Sequence, residues 1–123
     1  MAGKKLHFSV IAPHTSEYPD PITLKKGAKL LVGQKYEGPE AWDNWLFCET
    51  EGQRGGWVPA QIIQMIDETS GLALEDYTAN ELDVLEGQRL TSSRTLNGWA
   101  WCTDPETSKS GWVPLANLDP LPK

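Results

Sequence analysis

The side chains that could support catalysis or metal binding in this chain are two cysteines and two histidines. Cys48 and Cys102 lie in opposite halves of the sequence, and His7 and His14 are both near the N-terminus. A nucleophilic cysteine needs a histidine base beside it, but one of each in a short chain often coincide without forming a pair. A zinc site needs closely spaced ligands such as C-x-x-C or H-x-x-x-H, which the sequence lacks. We therefore expect no catalytic residues, no metal and no cofactor.

The composition favours a small all-β protein. The 123 residues are 39% hydrophobic and 23% charged, which is typical of a folded chain with one ordinary domain or two very small ones. Eleven glycines and nine prolines limit helices and favour short strands joined by turns. There is no apolar run long enough to span a bilayer, and the N-terminal MAGKKLHFSV lacks the apolar core of a signal peptide. We expect a cytoplasmic location.

The charge distribution indicates what kind of partner the chain could bind. The formal net charge is −6, and residues 68–123 carry four Lys or Arg against nine Asp or Glu. Nucleic-acid binding depends on cations that neutralise phosphates, so this balance argues against it. It favours a basic protein partner instead.

An internal repeat runs through the chain. The sequence GWVP occurs at 56–59 and again at 111–114. Upstream segments match in the same order: NWLFCET with GWAWCTD, and ITLKKGAKLLV with LDVLEGQRLTS. Each copy has about 50 to 60 residues, a size that is marginal for folding alone. The chain is therefore predicted to be a duplicated domain, with a link at Asp67–Gly71 that is too short for a free tether.

The pattern inside each copy predicts short strands with one buried face. Apolar residues alternate around Leu30 and Trp45, and ETEGQRGG and DPETSKSG have the composition of hairpin turns. Cys48 and Cys102 fall at equivalent core positions of the two copies. Residues in separate cores do not approach within disulfide distance, so we expect buried free thiols.

These segments resemble the Src-homology 3 (SH3) domain family. ALEDYTANELDVLEG, then GWAWC and GWVPLANL, is similar to the family's ALYDY segment, WW strand and G-W/Y-x-P-S-N-Y run. The first half resembles it through ITLKKG, Trp45 and GGWVPAQII, with VIAPH at the ALYDY position. The resemblance implies two tandem SH3-like five-stranded small barrels, at 1–66 and 72–123, with a linker at 67–71, as in small stand-alone bacterial SH3-repeat proteins.

In this family a row of aromatic side chains receives a ligand in the polyproline II conformation, which is already ordered before binding. The tryptophan of the groove corresponds to Trp45 and Trp99, and the turn residues correspond to Trp57, Pro59, Trp112 and Pro114. The positions of the family's tyrosines correspond to Ala12, His14 and Ile62 in the first copy and to Glu75, Tyr77 and Asn117 in the second, so most of these tyrosines are replaced. Tyr77 is thus the one retained tyrosine, and Trp101 is expected to pack.

The loops beside the two predicted grooves differ in length. The first copy has a full RT loop, TSEYPDP, with Glu17 and Asp20, and a long n-Src loop, YEGPEAWDN, with Trp42. The second copy has only TANE in its RT loop and a short n-Src loop. The two copies are therefore not expected to bind the same ligand.

The resemblance implies a non-enzymatic, monomeric module that binds an extended, proline-containing and basic peptide or protein segment with modest affinity. The expected ligand-binding residues are Glu17, Asp20, Trp42, Trp45, Trp57, Pro59, Tyr77, Trp99, Trp112 and Pro114. One alternative is a structural protein whose grooves are occluded by the other copy or by a folded partner. A second alternative is cell-wall recognition, which the lack of an export signal disfavours. The tail LDPLPK either ends the last strand or docks in a groove.

Overall fold

The structure is a computed structural model that describes residues 6–16, 20–35 and 44–121, in which the chain forms short β-strands and two 3₁₀ turns. The strands are β1 Leu6–Val10, β2 Thr23–Leu24, β3 Lys29–Lys35, β4 Trp45–Glu49, β5 Gly56–Pro59, β6 Ile63–Met65, β7 Ser70–Ala73, β8 Tyr77–Thr78, β9 Arg89–Leu96, β10 Trp99–Thr103, β11 Ser110–Pro114 and β12 Leu118–Pro120. The 3₁₀ turns are Ala60–Ile62 and Leu115–Asn117. The predicted all-β class is confirmed. Within the described ranges, no helix is long and apolar enough to cross a membrane.

The chain divides into two compact units. The terminal unit combines Met1–Tyr18 with Glu81–Lys123, and the central unit is Pro19–Asn80. The terminal unit contains a five-stranded sheet in the order β11-β10-β9-β1-β12. The central unit contains one in the order β5-β4-β3-β7-β6, together with the short ribbon β2-β8. The two sheets therefore follow the same plan.

In each sheet, one strand comes from the other copy of the internal repeat. β1 pairs with β9 and β12, and β7 pairs with β3 and β6. The compact units thus differ from the domains expected at 1–66 and 72–123. The physical reason is the internal repeat, because β1 and β7 carry the same alternation of buried and exposed residues and fit equivalent positions. We call this arrangement the strand exchange.

The segment expected to be a linker, Asp67–Gly71, forms the turn between β6 and β7 and the start of β7. The Asp67 carboxylate accepts the backbone N–H groups of Thr69 and Ser70 at 2.9 and 2.8 Å. The hydrogen bond from the Thr69 backbone, followed by that from the Ser70 side chain, holds the pKa of Asp67 below its usual range. These bonds tie the turn into a β6–β7 hairpin of the central unit.

Each unit buries the apolar residues that the period-two pattern places inward. In the terminal unit the core consists of Phe8, Val10, Leu82, Val84, Leu90, Ala100, Cys102, Val113 and Leu118. In the central unit the buried residues include Ile22, Leu24, Leu30, Val32, Cys48, Val58, Ile62, Ile63 and Ala73. The prediction that Cys48 and Cys102 are buried free thiols is confirmed.

The C-terminal segment extends the terminal unit. β12 pairs with β1, with Pro120 opposite Phe8, and the backbone N–H of Leu121 donates to the carbonyl of His7 at 2.8 Å. Residues 118–121 therefore lie along β1. Pro122 and Lys123, the last part of the predicted docking tail, lie outside the described residues.

A close backbone approach fixes the position of β11. A Cβ atom at Gly111 would lie 2.6 Å from the backbone nitrogen of Leu82 and 2.8 Å from the carbonyl carbon of Glu81. The Leu82 N–H donates to the Trp112 carbonyl at 3.1 Å, so the two chain segments are hydrogen-bonded at this point. Glycine is required here because backbone atoms cannot move aside as a flexible side chain can.

We predict that Gly111→Ala lowers the free energy of unfolding by about 3 kcal/mol, because the new methyl group overlaps backbone. Gly87→Ala is the matched control in the same unit. Gly87 has a φ of +94° but no atom within 4 Å of the added Cβ, so we expect a loss of about 1 kcal/mol from the left-handed backbone alone. Urea unfolding followed by circular dichroism measures both, and equal losses would contradict the prediction.

The buried thiols predict a stability that falls at high pH. Burial raises the pKa of Cys48 to about 11 and that of Cys102 to about 12, the latter against a lowering effect of the Ser92 hydroxyl. An unfolded thiol ionises near pH 8.5, so the stabilisation is fully present below that pH and is lost as the pH rises towards 11. The expected loss is about 1.4 kcal/mol per pH unit for each thiol.

Urea unfolding at pH 7.5, 9 and 10 tests this pH dependence. Cys102→Ala removes one of the two thiols, so its stability should fall less steeply above pH 9 than that of the unmodified protein. Lysine and tyrosine titration affects both proteins equally. The same slope in both proteins would show that the Cys102 thiol does not contribute.

Candidate functional site

Four side chains on β4 and β5 form one aromatic face of the central unit. Trp45 pairs with Pro59, and Phe47 pairs with Trp57. Because alternate residues of a strand point to the same side, these two pairs share a face. The Phe47 and Trp57 rings meet edge to face, with centroids 5.4 Å apart and planes at 79°. We call these four residues the central aromatic surface.

The terminal unit repeats this arrangement on β10 and β11. Trp99 pairs with Pro114, and Trp101 pairs with Trp112. The Trp101 and Trp112 rings lie 5.4 Å apart at 72°, almost the geometry of the central pair. Offset or edge-to-face aromatic pairs of this kind are favourable beyond the area that they bury. We call these four residues the terminal aromatic surface.

Burial divides each surface into an inner and an outer part. The rings of Trp45, Trp99 and Trp112 are only 6%, 8% and 6% exposed, and Pro59 and Pro114 are also buried. Phe47, Trp57 and Trp101 are half-buried. The side chains that a ligand can reach in this state are therefore the half-buried rings, whereas the expected groove tryptophans Trp45 and Trp99 are covered.

His14 lies in the terminal unit with Trp99, although the resemblance to the SH3 family assigns it to the first copy with Trp45. The two rings are edge to face, with centroids 5.7 Å apart. His14 Nε2 lies 2.7 Å from Glu81 Oε1, and the two side chains are 14% and 9% exposed. The strand exchange is the reason for this correction, because it places β1 in the sheet of the terminal unit and residues 11–16 beside it.

Tyr77 is placed in the central unit by the same exchange, although the sequence comparison grouped it with Trp99. Its hydroxyl donates to the backbone carbonyl of Trp57 at 3.1 Å, and the residue is buried. The hydrogen bond ties β8 to β5 at the backbone of the half-buried Trp57. Tyr77 therefore supports the central aromatic surface.

Asp20 is the one expected acidic contact that the described residues include. Its carboxylate lies 3.7 Å from Arg54 Nε, and both side chains are largely exposed. Exposed pairs of this kind contribute little to stability, so Asp20 stays available to another cation. Glu17 and Trp42, the other expected loop contacts, lie outside the described residues.

Several residues of these surfaces were not predicted as site residues. Phe47 and Trp101 stand two positions after Trp45 and Trp99, and this spacing on a strand is the signal that places them on the same face. The Asn117 amide donates to the backbone carbonyls of Ala12 and Pro13 at 3.2 and 3.1 Å. Asn117 and Glu81 carried no local signal, because their partners lie far away in the sequence.

The described residues offer little for chemistry at either surface. No group of three or more His, Cys, Asp or Glu side chains in the part of the chain that the structure describes could hold a metal ion. Both cysteines are buried, with pKa values that keep the thiols protonated near neutral pH. A protonated, buried thiol is a poor nucleophile. The arrangement is suited to binding through aromatic contact.

We predict that His14→Ala lowers the free energy of unfolding by about 2 kcal/mol, because it removes the partner of a nearly buried carboxylate. Glu81→Gln keeps an oxygen that accepts a hydrogen bond from His14, so we expect a smaller loss. Thr15→Ala alters the exposed neighbour of His14 and serves as the control. Urea unfolding measures all three, and a His14→Ala protein as stable as Thr15→Ala would contradict the assignment.

The first half of the chain matches a known protein family. Residues 5–66 match the family model described as a variant SH3 domain. The matched segment includes β1 of the terminal unit and β2 to β6 of the central unit. No curated protein matches the chain. The match covers about half of the 123 residues and agrees with the all-β, small-barrel architecture. The chain belongs to the variant SH3 domain family.

Proposed function

We propose that this chain is a non-catalytic protein-binding module built from two variant SH3 copies. The family is generally one of binding modules, and its model matches residues 5–66. The second copy is supported by equivalent hydrogen bonds in the two units. Gly27 N–H donates to the Ala73 carbonyl at 2.7 Å, and Gly87 N–H donates to the Val10 carbonyl at 2.8 Å.

The observation that carries the binding proposal is the edge-to-face aromatic pair in each unit, in which at least one ring is half-buried. Phe47 with Trp57, and Trp101 with Trp112, have the same position in their sheets and nearly the same ring geometry. Aromatic residues are enriched where proteins bind partners, because one side chain supplies a large contact area with few rotatable bonds. Paired rings at two equivalent places favour a binding role over a purely structural one.

The proposed ligand is an extended, proline-containing segment with basic residues. A polyproline II helix presents ridges that fit between flat rings and loses little entropy on binding. The net charge of −6 and the exposed carboxylate of Asp20 favour a cationic ligand. Glu17 and Trp42 are included in the proposed contact on the family resemblance alone.

The proposed binding residues of the two surfaces are Trp45, Trp57, Pro59, Tyr77, Trp99, Trp112 and Pro114. The half-buried rings, among them Trp57, make first contact with the ligand, and the buried ones form the floor. Few open pockets remain, so the affinity should be modest. We also propose that the protein is monomeric and cytoplasmic.

A second candidate is a structural role in which no free peptide is bound. The observation that favours it is the burial of Trp45, Trp99 and Trp112, each less than 9% exposed. In this role the buried rings stabilise the fold or an assembly with a folded partner. Acrylamide quenching of tryptophan fluorescence separates the two roles, because peptide binding should protect the half-buried rings, whereas the structural role predicts no change on adding peptide.

The binding proposal predicts specific NMR shifts. In a titration with a pool of Pro- and Arg-rich peptides, we expect the indole N–H signals of Trp57 and Trp101 to shift. Trp57→Ala should weaken binding at the central aromatic surface by roughly tenfold, as expected for an aromatic contact at an interface. Raising the salt concentration should weaken binding further through screening of the acidic side chains.

Leu85→Ala is the matched control for this titration. Leu85 is 70% exposed, lies next to the turn that precedes β9 and is not one of the residues of either aromatic surface, so its truncation should leave the affinity unchanged. If no indole signal shifts up to millimolar peptide, the binding proposal is wrong and the structural candidate is favoured.

A further inference from the structure

The strand exchange raises the question of why β1 enters the terminal unit and β7 the central unit. The backbone contacts of the two strands are equivalent. Ile11 N–H donates to the Asn117 carbonyl at 2.8 Å, and Leu74 N–H donates to the Ile62 carbonyl at 2.7 Å. Either strand could make these bonds in either unit. These backbone bonds therefore do not distinguish the two strands, whereas the side chains that flank the two positions differ.

The position in the terminal unit carries polar groups that match residues 12–14. Asn117 donates its amide to the carbonyls of Ala12 and Pro13, and Glu81 Oε1 lies 2.7 Å from His14 Nε2. The hydrogen-bond register makes Ile62 the central-unit equivalent of Asn117, and the repeat makes Pro21 the equivalent of Glu81. Neither side chain could form these hydrogen bonds, so residues 12–14 would lose their side-chain partners in the central unit.

The position in the central unit carries groups that match the other strand. Asp76 Oδ1 accepts the backbone N–H of Lys26 at 2.8 Å, in a turn that also contains Lys25. The repeat makes Glu86 the terminal-unit equivalent of Lys26, and Pro13 the equivalent of Asp76. In the terminal unit Asp76 would face an acidic residue. By the same alignment the uncharged Pro13 takes this position in the terminal unit, so like charges do not meet.

We propose that the position between β9 and β12, which β1 occupies, is a binding site for an extended segment. The side chains around this position select residues 6–16 of the same chain over residues 70–78. The recognition mode is strand addition, in which main-chain hydrogen bonds hold the segment and alternate side chains specify it. In the terminal unit, Asn117 and Glu81 recognise the segment through their side-chain hydrogen bonds. The Lys25–Lys26 turn and Asp76 specify the complementary choice in the central unit.

Disulfide trapping in the full chain tests which strand occupies which position. Ser9 pairs directly with Asp119, and antiparallel partners lie about 4.5–5.5 Å apart between Cα atoms, within disulfide range. Gln64 is the central-unit equivalent of Asp119, since it pairs with Leu72 as Asp119 pairs with Ser9. Ser9→Cys with Asp119→Cys therefore reports the exchange, and Ser9→Cys with Gln64→Cys reports the sequential arrangement.

We expect the Ser9→Cys/Asp119→Cys protein to oxidise at least tenfold faster than the Ser9→Cys/Gln64→Cys protein, to a product of monomer size on a non-reducing gel. The reciprocal pairs test the other strand. Leu72→Cys with Gln64→Cys should also oxidise faster than Leu72→Cys with Asp119→Cys. Faster trapping of Ser9 with residue 64 would overturn the proposal. So would a product of dimer size, which would show that the strand comes from a second copy of the chain.

A variant in which two segments are interchanged tests whether the side chains or the connecting segments determine the strand exchange. When VIAPH at 10–14 and ALEDY at 73–77 trade places, the composition is unchanged but each segment now lies in the half that matches it. The preferred disulfide should then switch to Ser9→Cys/Gln64→Cys. If the exchanged pair still forms, connecting segments rather than side chains determine the arrangement, and the proposal is wrong.

Milder variants keep the test valid if the interchanged chain does not fold. Asn117→Ala and Asp76→Ala should each raise the fraction of the Ser9→Cys/Gln64→Cys product several-fold. Glu106→Ala removes an exposed acidic side chain from the turn between β10 and β11 and should leave that fraction unchanged. Equal fractions in all three proteins would contradict the proposed selection.

Discussion

The main-chain hydrogen bonds that hold β1 between β9 and β12 are the contacts on which the terminal unit depends. Without β1 the β9 and β12 strands would present unpaired edges, and a sheet edge with free N–H and C=O groups is prone to associate with other chains. The same strand places Phe8 and Val10 in the core, each almost fully buried. Burial of such side chains is worth about 1.5–3 kcal/mol apiece. A strand from one end of the chain is therefore part of the core built by the other end.

The strand exchange also determines which side chains stand beside each aromatic surface. The central surface is supported by Tyr77, whose hydroxyl is bonded to the backbone of β5. The terminal surface is flanked by His14, whose ring contacts Trp99, and by Glu81, the hydrogen-bond partner of His14. Two surfaces with almost the same ring geometry thus have different neighbours. The difference comes from residues that lie outside the GWVP segments, which are identical in both halves and form the shared scaffold.

The sequence predicts those features that depend on local pattern. The all-β class, the internal sequence repeat and the burial of Cys48 and Cys102 follow from composition, from the repeated segments and from period-two alternation. The sequence does not predict which strands pair, because alternation specifies which face of a strand is buried but not which neighbouring strand covers that face. In a chain with an internal sequence repeat, two strands satisfy the same alternation equally well. The contact of His14 with Glu81 spans 67 positions, and an alignment of the two halves placed His14 beside the wrong tryptophan.

The exchange makes the N-terminal segment part of a surface that a linear comparison assigns to residues 72–123. A substitution at His14 acts on the environment of Trp99, and a substitution at Asp76 acts on the Lys25–Lys26 turn of the central unit. Residues that are neighbours in space, such as Ala12 and Asn117, therefore have to remain compatible although they belong to different repeats. Two duplicated domains folded in sequence could diverge independently. Two repeats that exchange a strand cannot diverge independently, because each substitution in the exchanged strand changes contacts in the unit that contains this strand.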